Sequence, residues 1–466
     1  MVKKGELFQD IEITDLSAKG KGVARIKKAV AFVENAIPGD LVDLQIIKQR
    51  KGYFDAKLVK MHQESDKRQK AVCSHFGICG GCRIQNMKYK NQLKFKEQQV
   101  LNNLTRIGGL ESPEILPILG SETTEYYRNK LEFSFSTSRW LSQEEIASGK
   151  QIENRQAVGF HVAGRYDKLV DIEHCYLQDK PSNDVRNFIR QYARNNKLSF
   201  FNPYHMKGML RALFIRTSTS NEVMINMVFG ENINDQAIDL LAALKTEFPE
   251  ISSIYYLVNT KKNDSIYDLK PVLFSGNAYI TEHMEHIQIK LGPKSFYQTN
   301  SIQALELYKT VRQFGELNPD EIVYDLYSGV GSIGLYLAKD VKKIIGIETV
   351  EEAVHDAEEN RRINNINNIT FYSGQVEKLL SMDFANENGD PDILIIDPPR
   401  PGVHKTVIQS ILEIKPKKII YISCNPATQA RDIELLTSSY QFIKSQPVDM
   451  FPHTLHIENV SLLELK

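Results

Sequence analysis

The sequence predicts a multidomain chain that begins with an OB-like β-barrel, continues through an α+β domain and ends in an α/β domain built on a doubly wound, mostly parallel sheet. Three observations lead there. Residues 5–62 hold short alternating strands broken by Gly20-Lys21-Gly22 and Pro38-Gly39-Asp40, the spacing of a small five-stranded barrel. Residues from about 119 to 284 mix β-rich runs such as KLEFSFSTSRW and MLRALFIRTSTSNEVMINMVF with one or two helices. From about 285 onward, strand, Gly-rich turn and helix recur, as in parallel βαβ units. The expected domains are therefore 1–62, 63–284 and 285–466.

A chain of 466 residues with 42% hydrophobic and 25% charged residues can bury two or three cores, which excludes a fibrous or disordered protein. No apolar run approaches the ~18 residues of a membrane span. No hydrophobic signal region follows Met1-Val2-Lys3-Lys4-Gly5, so a cytoplasmic protein with no membrane partner is expected. The formal net charge is zero, yet residues 1–110 carry 21 Lys and Arg against 11 Asp and Glu. An excess of positive charge at the front, balanced by negative charge behind, is what an amino-terminal part approaching phosphates would show. Lys19, Lys21, Arg25, Lys27, Lys28, Lys48, Arg50 and Lys51 would supply the barrel's charge, and a merely solvated basic face is the plainer alternative.

The five cysteines fall into two groups. Cys73-x5-Cys79-x2-Cys82, with Cys175 far downstream, offers four thiolates, enough for tetrahedral zinc or for a cubane iron–sulfur cluster. Structural zinc sites favour paired C-x2-C hooks. Three ligands on one loop, with Gly77, Gly80 and Gly81 among them, suit an iron–sulfur cluster of structural role, which is the favoured reading. The stretch that follows, YKNQLKFKEQQVLNNLTRI, ends at Gly108-Gly109 and reads as a helix that could pack on the carboxy-terminal domain.

In that last domain, DLYSGVGSIG closes an apolar strand and opens a helix, so Gly329 and Gly331 can let the backbone approach a ligand. Glu348 ends the next strand, 23 residues after Asp325, where a carboxylate can take both hydroxyls of a ribose. The glycine spacing is unlike the tight dinucleotide fingerprint, and Asp325 would repel a pyrophosphate while suiting the ammonium of S-adenosylmethionine. A methyltransferase is therefore preferred to a dehydrogenase. DILIIDPPRPG places Asp397 at the end of a further strand. Arg400 stands where base amino-group methyltransferases carry an aromatic residue, which points to a carbon target.

Carbon 5 of uracil is too weak a nucleophile to attack a methyl sulfonium unless a thiolate first adds to carbon 6. Cys424, in KKIIYISCNP, ends the next apolar strand on the same sheet edge as Asp397. A buried structural cysteine is the alternative. A base must then remove the carbon 5 proton, and Glu458 in FPHTLHIENV is the candidate, with His453 and His456 as rivals.

Taken together, FYQTN, DLYSGVGSIG, Glu348, DPPRPG, SCNPATQARD and HTLHIENV, in that order, resemble the RNA uracil-5-methyltransferase family over nearly the whole chain. The similarity is to its RumA/RlmD-like branch, which acts on 23S ribosomal RNA. The resemblance implies a TRAM domain at 1–62, a Rossmann-like S-adenosylmethionine-dependent catalytic domain and a [4Fe-4S] cluster on Cys73, Cys79, Cys82 and Cys175. It implies that Gln298, Tyr327, Glu348 and Asp397 line the cofactor and target site, that Cys424 is the nucleophile and that Glu458 accepts the proton. Ser332 and Gln375 depart from the pattern, standing where asparagines would contact the cofactor. The expected product is 5-methyluridine in 23S ribosomal RNA, made by a monomer. The alternatives are the same chemistry on transfer RNA or on several ribosomal uridines, and a non-catalytic RNA-binding assembly factor.

Overall fold

A computed structural model describes residues 2–466. Leu7–Glu12, Gly22–Ile26, Ala29–Glu34, Leu41–Gln49 and Tyr53–Gln63 form strands where the turn spacing puts them, and Asp15–Leu16 adds a sixth to the expected five. The extra strand is a product of its turn. Ser17 and Gly20 close it through backbone hydrogen bonds, and this lays Leu16 opposite Gly22. The strands alternate, with Val42, Leu44 and Ile46 pointing into a core shared with Ile13, Ala24 and Val33.

Tyr89–Arg106 is helical. Its buried stripe, Gln92, Lys96, Val100 and Leu104, follows i, i+4 spacing, which stacks side chains along one helix face. Val100 and Leu104 enter the same core as Ile345, Ile419 and Tyr421, so the helix packs on the carboxy-terminal domain. The central sheet has seven strands, in the order Val272–Gly276, Ser253–Val258, Val223–Phe229, Leu210–Thr217, Lys130–Ser136, Ala157–Val162, Arg165–Asp171. Ser182–Asn195 and Asp235–Glu247 supply the apolar side chains that cover it, and a short capped helix, Gln143–Ala147, makes three where one or two were expected. The boundary drawn between 284 and 285 falls inside a β-hairpin, Ile280–Met284 with Ile287–Leu291. Both of its strands bury their apolar side chains against the helix Ser301–Gly315, so the hairpin belongs with the last core.

The carboxy-terminal sheet also has seven strands. In chain order they are Ile322–Leu326, Lys343–Glu348, Ile369–Ser373, Ile393–Ile396, Lys418–Ser423, Tyr440–Val448 and Glu458–Leu465. In space they run third, second, first, fourth, fifth, seventh, sixth. The first five are parallel and the seventh inserts antiparallel beside the fifth. The order reverses between the first and fourth strands, and the crevice at their carboxyl ends is where doubly wound sheets bind ligands. Among the described residues no helix is long and apolar enough to cross a membrane.

Candidate functional site

Asp325 and Asp397 stand on either side of that crevice. Asp325 pairs in register with Ile395, two residues before Asp397. One oxygen of buried Asp325 accepts the Gly334 N–H at 3.1 Å, and its other oxygen is buried with no partner. An orphaned buried carboxylate oxygen is costly, and a ligand ammonium would satisfy it. Burial pushes both carboxyls up to about 7, with Asp397 adding to the rise at Asp325.

The turn beyond Asp325 is shaped by backbone conformation. Tyr327, Gly329 and Gly331 all have positive φ, of 64°, 55° and 79°. A Cβ on Gly331 would meet the Phe371 ring at 2.6 Å, whereas one on Gly329 would enter open space. Gly331 is thus required by packing, and Gly329 leaves room above the turn. Glu348 accepts the N–H of Gly329 through one oxygen and that of Val350 through the other, each at 2.9 Å. These bonds fix its rotamer and leave lone pairs on both oxygens. The Ser332 hydroxyl pairs with Tyr308 at 2.7 Å, and Gln375 is exposed at the start of a one-turn helix, Val376–Leu379.

Cys424 follows the fifth strand, and the antiparallel ladder ends with Ser423 opposite Asn459. Cys424 is the next residue beyond that last pair and Glu458 the residue before Asn459, which brings the Glu458 carboxylate close enough to act on the thiol. Cys424 is partly buried and Glu458 is 5% exposed. Burial raises the Cys424 thiol to about 11, with the Glu458 and Asp397 carboxylates adding to the rise and Arg400 opposing it. Burial, then Asp397, holds Glu458 well above the usual carboxylate range, again opposed by Arg400. Asn425 caps the following helix, Pro426–Leu436, and its amide donates to the Arg400 carbonyl at 3.1 Å. It thereby ties the Cys424 turn to the Asp397 loop.

The histidine rivals fall elsewhere. His453 is buried against the Gln92 amide at 3.1 Å, and His456 lines a second cavity. Gln298 lies in the loop before the helix Ser301–Gly315, its carbonyl accepting from Asn129 at 2.8 Å. Several supporting residues escaped the sequence reading. Lys96 and Asp449 form a 2.6 Å ion pair with both side chains wholly buried. Tyr89 donates to Asp449 at 2.9 Å, and Gln429 donates to the carbonyls of Tyr421 and Asn459 at 2.8 and 3.0 Å beneath the Cys424–Glu458 pair. The signal for Lys96 was the i, i+4 stripe it shares with Gln92, Val100 and Leu104.

The second cavity, of about 220 Å³, is lined by Cys73, Cys79, Cys82 and Cys175. Burial raises all four thiols, Cys79 to about 12. Among the described residues the one set of three or more ligand atoms within 4.8 Å of one another is Asp10, Asp43 and His62 on the barrel, so no three of these sulfurs gather that closely. A single zinc with bonds of about 2.3 Å would hold its sulfurs roughly 4 Å apart. Arg128 lines the cavity. Arg186, wholly buried, hydrogen-bonds only amide and carbonyl oxygens, and the Cys175 sulfur, Asp171 and Asp184 supply the negative charge that favours its cationic form.

On the barrel, Lys19, Arg25, Lys28, Lys48 and Lys51 are exposed, while Lys21 is occupied by ion pairs with Glu34 and Asp55 at 3.2 and 3.3 Å. The Gly20 turn packs against Leu455, which places the barrel beside the loop leading to Glu458.

The family model for tRNA (uracil-5-)-methyltransferases matches residues 202–466, and that for the TRAM domain matches residues 8–59. A Bacteroides thetaiotaomicron chain described as an uncharacterized RNA methyltransferase is 48% identical, over 97% of this chain and 100% of its own length. One of the same description from Porphyromonas gingivalis is 46% identical, over 97% and 99%. The crystal structure of Pyrococcus abyssi tRNA (uracil-54, C5)-methyltransferase with S-adenosyl-L-homocysteine is similar with a TM-score of 0.76. It is 30% identical and covers 97% of this chain and 99% of that one.

Proposed function

Because the chain belongs to the RNA uracil-5-methyltransferase family and carries a TRAM domain, we propose that it methylates carbon 5 of a uridine through a covalent adduct on Cys424. The observation that carries this reading is the gathering of Cys424, Glu458 and Asp397 within electrostatic reach of one another, Cys424 just beyond the Ser423–Asn459 pair that ends the ladder. S-adenosylmethionine would supply the methyl group and a fixed positive charge. Asp325 would take its ammonium, Glu348 its ribose hydroxyls, and Tyr327, Ser332 and Gln375 would border it. Gln298 and Asp397 would orient the uracil.

The Cys424 sulfur adds to carbon 6, forming the S–C6 bond and moving the C5=C6 electrons onto the ring as an enolate. Carbon 5 would then attack the methyl group, forming the C5–CH3 bond as the methyl's bond to the cofactor sulfur breaks and S-adenosylhomocysteine leaves. Glu458 removes the remaining carbon 5 proton, the S–C6 bond breaks, and the C5=C6 bond returns with the thiolate released. Burial makes ionised Glu458 a strong proton acceptor. Arg400 is the cation that favours the charged forms of both Cys424 and Glu458.

The four cysteines fit a [4Fe-4S] cluster better than one zinc, given their separation around a cavity and the arginines beside it. Such a cluster would be structural, joining the loop of Cys73, Cys79 and Cys82 to Cys175. We infer a cytoplasmic monomer that grips RNA with the exposed lysines and arginines of its barrel.

The substrate we infer is 23S ribosomal RNA, on the resemblance of the whole motif set to the branch acting there. A second reading, transfer RNA, is favoured by the solved tRNA enzyme, whose similarity spans the barrel and cysteine regions as well. Mapping 5-methyluridine in ribosomal and transfer RNA from cells with and without the gene separates them. Loss confined to 23S RNA supports the first reading, and loss confined to transfer RNA supports the second.

A further inference from the structure

Three consecutive residues, Tyr127, Arg128 and Asn129, touch both the loop that carries Gln298 and the loop that leads to Glu458. Tyr127 is 6% exposed and its hydroxyl donates to the Pro452 carbonyl at 2.9 Å, on the loop that ends at Glu458. The Arg128 guanidinium lies 5.1 Å from the centre of the Phe451 ring on the same loop. The Asn129 amide donates to the Gln298 carbonyl at 2.8 Å and to the Ser301 hydroxyl at 2.9 Å, and its backbone N–H donates to the Thr299 carbonyl at 2.8 Å. The segment is itself anchored. Tyr126 and Arg128 donate backbone N–H groups to the carbonyls of Tyr176 and Leu177, next to Cys175. Asn300 joins the two loops directly, its amide donating to the Met450 carbonyl at 3.1 Å.

We propose that Asn129 and Tyr127 are positioning residues with divided tasks. Asn129 aims the Gln298 loop at the pyrimidine for thiol addition, and Tyr127 aims the Glu458 loop at the carbon 5 proton. Both hang from the loop that holds Cys175, so the cysteine site sets the reference position for the two loops. The inference rests on the uridine mechanism above. A peptide whose carbonyl is held by a side-chain donor cannot rotate without losing that bond, so each donor fixes the backbone course of its loop at that peptide.

The test uses the full-length protein with S-adenosylmethionine and two RNAs, one carrying uridine and one carrying 5-fluorouridine. The fluorine cannot leave as a proton, so the second RNA stops at the methylated adduct and reports addition and methyl transfer without the final proton removal. Asn129→Ala should slow adduct formation about tenfold, and Asn129→Asp, which sets an acceptor against the Gln298 carbonyl, by at least as much. Tyr127→Phe should leave adduct formation within about twofold and slow turnover on uridine RNA about three- to tenfold, with methylated adduct accumulating. Cofactor affinity should be unchanged in Tyr127→Phe, because the cofactor turn is built by other strands. A merely structural role would depress both rates and cofactor affinity together, and that outcome overturns the division of tasks. So does wild-type behaviour in all three variants. If the wild-type protein forms no adduct, the uridine mechanism itself fails, and that result is distinct from failure of the clamp.

Discussion

Two regions of this molecule hold thiols out of water, and their electrostatic surroundings are opposed. Around Cys73, Cys79, Cys82 and Cys175 the cavity wall contains Arg128 and no Asp or Glu, with Arg186 behind Cys175. Around Cys424 stand Asp397 and Glu458, with Arg400 as the opposing charge. Burial raises these thiols as it raises Cys424, but a wall with an arginine and no carboxylate adds no further negative charge against the thiolates that a bound metal group would require. A shell of carboxylates keeps a lone thiol protonated until substrate and cofactor change the local charge. The same side chain is thereby fitted to holding in one place and to attacking in the other.

The sharpest way to break this contrast is to remove one thiol from each region. Cys424→Ala should abolish methylation while leaving metal content and thermal midpoint as in wild type. Cys175→Ser should strip iron and lower the midpoint, read by iron analysis and calorimetry. If Cys424→Ala lost iron, or Cys175→Ser kept it, the separation of roles would fall.

Next in size is the ion pair that holds the Glu458 loop to the helix Tyr89–Arg106. Lys96→Met leaves Asp449 buried and uncompensated, which should cost about 3–5 kcal/mol of stability. Denaturant unfolding measures it, and a loss below about 1 kcal/mol would contradict the pair's role in holding the loop to the helix.

The acidic region also predicts a pH dependence. Asp325 and Asp397 are raised to about 7 in the folded chain, so the folded state retains protons that the unfolded chain releases near pH 4. Their contribution to stability is therefore greatest below about pH 4 and is lost as pH rises through about 7. Binding a cation reverses the preference. S-adenosylmethionine should bind more tightly as pH rises from 6 to 8 and release protons on binding, which calorimetry in buffers of different ionisation enthalpy detects. A flat profile would contradict the assignment of both carboxylates to the cofactor crevice.

The smallest effect concerns Arg400. It opposes the upward push on Cys424 and Glu458, so Arg400→Gln should move the alkaline limb of adduct formation upward by about half a pH unit. An unmoved limb would place the arginine's role elsewhere, on the RNA.

Much of the fold was legible because its signals are local. Apolar strands ending in DLYSGVGSIG, DPPRPG and SCNP announce a parallel sheet with its chemistry at one edge, and the turn glycines of the barrel mark its strands. The placement of Glu458 beside Cys424 was not legible, since it depends on the seventh strand inserting antiparallel next to the fifth. Neither was the partner of Lys96, which lies 353 residues away. Polar residues on an otherwise apolar helix stripe reveal that a partner exists, and the tertiary fold alone says which. The barrel's sixth strand was missed because two residues leave no periodicity to read, and the hairpin at 280–291 because its apolar faces match either neighbouring domain.

The central claim is that Cys424 attacks a uridine. Intact-mass analysis of the wild-type protein incubated with S-adenosylmethionine and 5-fluorouridine-substituted 23S or transfer RNA fragments tests it most directly. The predicted result is a covalent species equal to protein plus RNA plus one methylene, mapped to Cys424 and missing from Cys424→Ala. A Cys424→Ala protein that still converts uridine to 5-methyluridine would contradict it.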